Sequence, residues 1–284
     1  MKVLIIGNFH PKNMTGIKLL LGTINYEYKF GNIDEIKNFD IIYSPISPIN
    51  SSQYPTKKFI FGPHFSIFPD NRLLSINNIN KNSIYIHPSK WAANVWKNFN
   101  VESIIPIKEF PFPVQVEKFC LNEYNKKNEV YIYFKRRKPY ELEYVKKFLN
   151  NKNITYKIFD YVKKYNEEDY LNCLRNAKYG IIIDAHESQG FAIEEALSCN
   201  IPLLVWNVSY MSQENGSNFP DIPCTNIAYW DDRCGEYFYN IEEFEITYTN
   251  FINKLETYSP REYILENLSP QKCGERFIEL INSF

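Results

Sequence analysis

Two short apolar runs joined by one helix-length segment constrain this chain more tightly than any other feature. Tyr179-Gly180-Ile181-Ile182-Ile183 and Leu203-Leu204-Val205-Trp206 are continuous hydrophobic stretches of the kind buried on both faces inside a parallel sheet. Parallel neighbours need a crossover, and the segment between them supplies it: a turn from Asp184 to Gly190, a helix through Leu197, and the tight turn Cys199-Asn200-Ile201-Pro202. Asparagine at 200 suits a position just past a helix, where it tolerates the left-handed conformation.

In open α/β sheets ligands bind beyond the carboxyl ends of the strands, which is where Asp184 to Gly190 falls. Gly190 lets another group approach the backbone closely. The first free N–H groups of the following helix, at Phe191 and after it, carry the positive end of its dipole, so a diphosphate suits that place. Glu187 precedes the helix and Glu195 is expected about two turns into it, so the pair reaches different parts of one extended ligand. Carboxylates so placed suit bidentate recognition of sugar hydroxyls. Taken alone, two glutamates on a helix are usually a solvated face; the order strand, Glu, Gly, helix, Glu, Ala, Pro, strand carries the argument.

Glu187 and Glu195, with seven residues between them, and the continuation Ala196-Leu197-Ser198-Cys199-Asn200-Ile201-Pro202-Leu203-Leu204-Val205 resemble the paired-glutamate motif of the large retaining group of GT-B glycosyltransferases. The family usually has glycine where this chain has Asn200. The resemblance is sharp from about Tyr170 to Val205 and extends elsewhere as an order of elements. Ile84-Tyr85-Ile86-His87-Pro88-Ser89 is similar to a family strand ending in serine, and Phe110-Pro111-Phe112-Pro113-Val114 to a proline-led linker.

The resemblance implies two Rossmann-like domains facing across a cleft: 1–112 on the acceptor side and 113–284 on the nucleotide-sugar side, with a last helix at about 269–284 packing back on the first. It implies transfer of a sugar from a nucleoside diphosphate donor to a hydroxyl acceptor with retention. Lys135, Arg136 and Arg137, with Gly190 and Phe191, would hold the diphosphate; alternation along a strand favours Lys135 with Arg137. The family has Gly-Arg followed by Lys, whereas this chain has Phe134-Lys135-Arg136-Arg137. Glu195 and Tyr161 would hold the nucleoside and Glu187 the transferred sugar. His64, which ends the fourth strand, and His186 would lie near the reacting sugar, although His186 could equally cap its turn. His10 and Gly16, in the loop after the first strand, would face the acceptor. Rival readings are a GT-B nucleotide-sugar epimerase, a glycoside phosphorylase and a catalytically silent sugar or nucleotide binder.

Composition bounds the rest. The 284 residues, 44% hydrophobic, suffice for two modest cores. The 32 basic residues are matched by 33 acidic ones, which gives no electrostatic case for nucleic acid. The apolar run Val3 to Ile6 ends at Gly7-Asn8, too short for a signal peptide or membrane span, so a soluble, cytoplasmic protein is expected. Six scattered cysteines without C-x-x-C spacing suggest reduced thiols rather than zinc or disulfides. No Asp-x-Asp motif or His/Cys cluster is present, so no cofactor is expected and the reaction should be metal-independent.

Short apolar runs at 3–6, 27–30, 40–43, 59–61, 84–86 and 104–106 alternate with helical segments at 16–21 and 90–99, which argues for a helix-covered parallel sheet. Prolines 111 and 113 place a linker at 109–114. A second set follows: strand 128–134, helix 140–149, strand 155–159 and helix 167–177. The tail from 259 has the spacing of two amphipathic helices broken near Ser269-Pro270.

Overall fold

The computed structural model describes residues 1–7, 9–63, 67–69, 75–120 and 128–284. They form two compact units: Met1–Pro113 with Pro270–Phe284, and Val114–Ser269.

The first unit contains β1 (Lys2–Ile6), α1 (Pro11–Gly22), β2 (Glu27–Gly31), β3 (Ile41–Ser44), β4 (Lys58–Phe61), β5 (Ser83–His87), α2 (Lys90–Asn98) and β6 (Ile107–Glu109). Its six strands are all parallel, in the order β2-β1-β3-β4-β5-β6. Strands β3, β4 and β5 are almost wholly buried, which is why they read as unbroken apolar runs. Two expectations shift. The first helix begins at Pro11 rather than Gly16, because proline at the first helical position loses no hydrogen bond and presets φ. The last strand is Ile107–Glu109, not 104–106, because Val101–Ser103 form a 3-10 turn and Pro106 has no N–H for a ladder. Pro106 still accepts a hydrogen bond at its carbonyl from the Tyr85 amide. Glu109 therefore belongs to the sheet rather than the linker.

The second unit contains β7 (Glu129–Lys135), α3 (Pro139–Asn151), β8 (Tyr156–Asp160), α4 (Glu167–Asn176), β9 (Ala177–Asp184), α5 (Phe191–Ser198), β10 (Leu203–Trp206), β11 (Gly235–Phe238), α6 (Phe244–Asn253) and α7 (Pro260–Asn267). Its parallel sheet has the order β11-β10-β9-β7-β8. Two cores lie on its faces. Tyr131, Tyr133 and Ile182 pack with α4, α5 and α7; Val130, Ile132 and Ile183 pack with α3 and α6. The final helix, α8 (Pro270–Asn282), packs on α1 in the first unit. Among the described residues no helix is long and apolar enough to cross a membrane, and all six cysteines are free thiols.

Candidate functional site

Strand β7 is the first of its sheet, yet it has β8 on one side and β9 on the other. The loop after β7 leads to α3 on one face, and the loop after β9 leads to α5 on the opposite face. Such a reversal of strand order leaves an open crevice at the carboxyl ends of the two central strands. Lys135 and Asp184, the last residues of β7 and β9, are register partners at that edge. Alternation puts both on the face shared with Tyr133 and α5.

The Lys135 ammonium forms an ion pair with Glu187, and both side chains are largely buried. It also lies 4.6 Å from the centre of the Tyr161 ring. Burial works to depress this ammonium, but Asp184, Glu187 and Tyr161 outweigh it and hold it above the ordinary lysine range. Asp184 itself is 1% exposed. Burial pushes its carboxyl well up, with Lys135 opposing and Glu187 reinforcing the shift.

The alternation expected for the basic run stops at Lys135, where the strand ends. Arg136 takes the left-handed conformation, with φ of +49°, so the next side chain is re-aimed. Arg137 is buried and fully engaged: it forms a two-pronged pair with Glu141 at 3.0 and 2.5 Å and donates at 3.1 Å to the carbonyls of both Asp184 and Trp206. It ties strand ends together rather than facing the crevice beside Lys135. Arg136 is about half exposed and pairs with the buried Glu214 at 3.0 Å. Glu214 also accepts from the Ser217 hydroxyl at 2.7 Å and stands 3.4 Å from His186 Nδ1. Burial lowers the affinity of His186 for a proton, with Glu214 and Glu187 pulling the other way; the imidazole edge meets Phe219.

Gly190 is the N-cap of α5 with φ of +89°, a conformation that a side chain would strain, and no side chain caps the helix. The helix starts one residue later, so Glu195 is its fifth residue, one turn in rather than two. Glu195 is 4% exposed, near Tyr165, whose phenol is pushed up to about 12 by burial first and by Glu195 among the smaller causes. Its neighbour Glu194 is buried as well and accepts from Gln189 at 2.7 Å. Asn200 adopts φ of +55°, and its side chain accepts from the Arg261 amide. Sequence reasoning missed Glu214 and Asn226. The Asn226 amide donates at 3.1 Å to the same two carbonyls as Arg137. Neither sits in a periodic pattern, so only the fold brings them to the site.

In the first unit, His10 is the exposed N-cap of α1. Gly16 lies within α1 instead of ending a loop; a Cβ there would meet Pro113 and Phe112 at 3.2 and 3.3 Å, so it serves helix packing. His64 lies outside the described residues. Among the described residues no group of three or more His, Cys, Asp or Glu side chains is placed to hold a metal ion.

Two parallel α/β units, with the final helix returned to the first, define the GT-B fold, and solved structures bear this out. The N-terminal domain of trehalose-6-phosphate phosphatase from Candida albicans matches with a TM-score of 0.65 at 11% identity over 99% of this chain and 96% of that one. Sucrose-phosphate synthase from Thermosynechococcus elongatus matches with a TM-score of 0.57 at 7% identity over 100% and 98%. A point mutant of TarM from S. aureus, in complex with Fondaparinux, alpha-GlcNAc-glycerol and UDP, matches with a TM-score of 0.55 at 15% identity over 85% of this chain. The chain spans 55% of the length of that TarM chain. No protein-family model matches the sequence, and no curated protein is similar to it in sequence. The likeness is one of fold, shared with GT-B glycosyltransferases.

Proposed function

We propose that the chain is a retaining glycosyltransferase that moves a sugar from a nucleoside diphosphate donor to a hydroxyl acceptor. One observation carries this reading: at the strand-order reversal of the second unit, Lys135 meets Glu187 just ahead of a glycine-opened helix that holds a buried Glu195.

In this mechanism Lys135, Arg136 and the amides at the start of α5 bind the donor diphosphate. They stabilise the charge that grows on the leaving group as the glycosidic bond breaks. Glu195 binds the ribose, and Glu187 orients the transferred sugar. A neutral His186 hydrogen-bonds a sugar hydroxyl. The acceptor hydroxyl approaches on the face the diphosphate leaves, and the departing phosphate takes its proton, so no side chain acts as nucleophile. The reaction is proposed to need no metal ion, with cationic side chains and helix amides supplying the charge. Lys135 must exchange Glu187 for phosphate when donor arrives.

A thermal-shift screen against nucleoside diphosphates and their sugars tests the reading, since a specific ligand raises apparent stability. Product analysis then follows the donor: release of nucleoside diphosphate only with acceptor supports transfer. A second reading, a silent nucleotide or sugar binder, draws support from the internal Lys135–Glu187 pair, which satisfies both charges without ligand. Binding of donor with no nucleoside diphosphate ever released selects it. Donor consumed without acceptor selects an epimerase.

A further inference from the structure

The connection from β10 to β11 folds back against the turns that follow β7 and β9, and it does so as a built element. Tyr210 bridges Pro223, the Met211 amide donates to the Ile222 carbonyl at 2.9 Å, and the Cys224 amide donates to that of Ser209 at 3.0 Å, with Met211 wholly buried. This short antiparallel pair leads straight into Glu214, which joins the two turns. On one side Arg136 is gripped twice: its carbonyl accepts from the Asn215 amide at 2.8 Å, and its Nη1 donates to Glu214 Oε1 at 3.0 Å. A left-handed residue other than glycine persists only where its surroundings hold it, and these two contacts hold Arg136. On the other side Glu214 Oε2 stands 3.4 Å from His186 Nδ1.

Exposure separates the anchor from what it anchors. The Glu214 side chain is 4% exposed and that of Arg136 51%. A buried carboxylate needs its donors, whereas a half-exposed guanidinium is solvated without an acid beside it. Among the described residues only Nη1 of Arg136 makes a side-chain hydrogen bond, so the Nε and Nη2 donors of the planar fork remain for an oxyanion. His186 is constrained through charge. A proton on the nitrogen that faces the carboxylate is stabilised and a lone pair there is repelled, so the neutral ring carries its hydrogen on Nδ1 and offers Nε2 as an acceptor. We propose that Glu214 is a positioning residue for the crevice: through Oε1 it aims Arg136 at the donor diphosphate, and through Oε2 it sets His186 to accept a hydrogen bond from a sugar hydroxyl. This deepens the glycosyltransferase reading and rests on it.

The test uses the full chain with nitrogen-15 in its histidine rings, at about pH 8, where an ordinary imidazole is neutral. Among the four histidines, His186 is identified by the signal absent from His186→Gln. Its two-bond nitrogen–proton correlations are expected to show the Nδ1–H tautomer in wild type and its loss in Glu214→Met. Methionine fills the same buried space without the charge, a replacement that folded proteins commonly tolerate. UDP and ADP then serve as probes in calorimetry. Arg136→Ala is expected to weaken their binding about tenfold and Glu214→Met about fivefold, while the double variant binds no more weakly than Arg136→Ala alone. An Nε2–H tautomer in wild type overturns the proposal, and so does an Nδ1–H tautomer that survives Glu214→Met. Unchanged or tighter nucleotide binding in Glu214→Met, or losses that simply add in the double variant, overturns it as well. If neither nucleotide nor any donor sugar binds wild type, the glycosyltransferase reading fails, and the histidine spectra alone decide whether Glu214 sets His186.

Discussion

Glu187 and Glu195 share a motif but not an environment, so their removal should be felt differently. Glu187 is paired with Lys135 at the mouth of the crevice, and Glu195 is enclosed on α5 near Tyr165. In the proposed mechanism Glu195→Ala weakens nucleotide binding by about tenfold with turnover at saturation little changed. Glu187→Ala lowers turnover by about tenfold to a hundredfold at similar nucleotide affinity, because its contact matters most as the sugar departs. Calorimetry paired with turnover assays checks both, and unchanged binding and turnover in both variants removes the assignments. A separate residue-scale prediction concerns His87, buried at the end of β5 against Tyr85 and Trp96. Burial pushes its proton affinity down from 6.5 to about 3. The unfolded chain takes up the proton first as pH falls, so stability present above pH 6.5 is lost on the way down toward about 3. Its share is about 1.4 kcal/mol per pH unit within that window. His87→Gln removes that slope, which thermal denaturation from pH 7 to 4 measures; an unchanged slope in the variant shows that His87 is not its source.

At the scale of elements, what was legible depended on whether a local rule and the tertiary fold agreed. The turn-opening glycine, the left-handed Asn200 and the buried run of β9 follow from residue chemistry, and the structure has all three. The alternation rule failed at Lys135 because the strand stops there, and nothing in a run of four basic residues marks that stop. Strand β11 and helix α6 were not anticipated. β11 opens with Gly235 at φ of +136°, and α6 is rich in aromatic and β-branched residues that read poorly as helix. Both are imposed by the sheet they complete. Gly235 tests this: a Cβ there would meet the Leu203 carbonyl oxygen at 2.0 Å, a backbone atom that cannot swing aside. Gly235→Ala should therefore destabilise the second unit by about 3 kcal/mol or more, as strain and overpacking combine. Gly190→Ala contrasts with it, since the nearest atoms to its Cβ are 3.6 and 3.7 Å away. Only the left-handed φ is at stake, so the cost should be about 1–2 kcal/mol. Denaturant unfolding of the two variants compares them directly, and an equal cost would show that crowding at Gly235 is relieved by movement of β10.

For the molecule as a whole, the defining feature of its chain path is that α8 belongs to the first unit although it follows the second in sequence. The physical reason lies in its sequence. Cys273, Gly274, Phe277, Leu280 and Ile281 form one buried stripe at helical spacing, while Lys272, Glu275 and Arg276 lie outside it. Gly274 is the point of closest approach, where a Cβ would meet Thr23 Oγ1 at 2.2 Å and the Leu20 carbonyl at 3.3 Å. Phe277 packs edge-on against Phe110 with ring centres 5.8 Å apart, and Lys58 donates to the Ile281 carbonyl. These contacts cover α1 and the residues after β6, so the first unit is complete only with this helix. Phe277→Ala should cost it about 3–5 kcal/mol, the usual penalty for a buried aromatic cavity. Removing residues 270–284 goes further and strips α1 of the helix that packs on it. Hydrogen exchange on the truncated chain should then show β1 and α1 losing protection while β7 and β9, whose cores contain no residue of α8, keep theirs. Retained protection in β1 and α1 would mean that the first unit is stable without its returning helix.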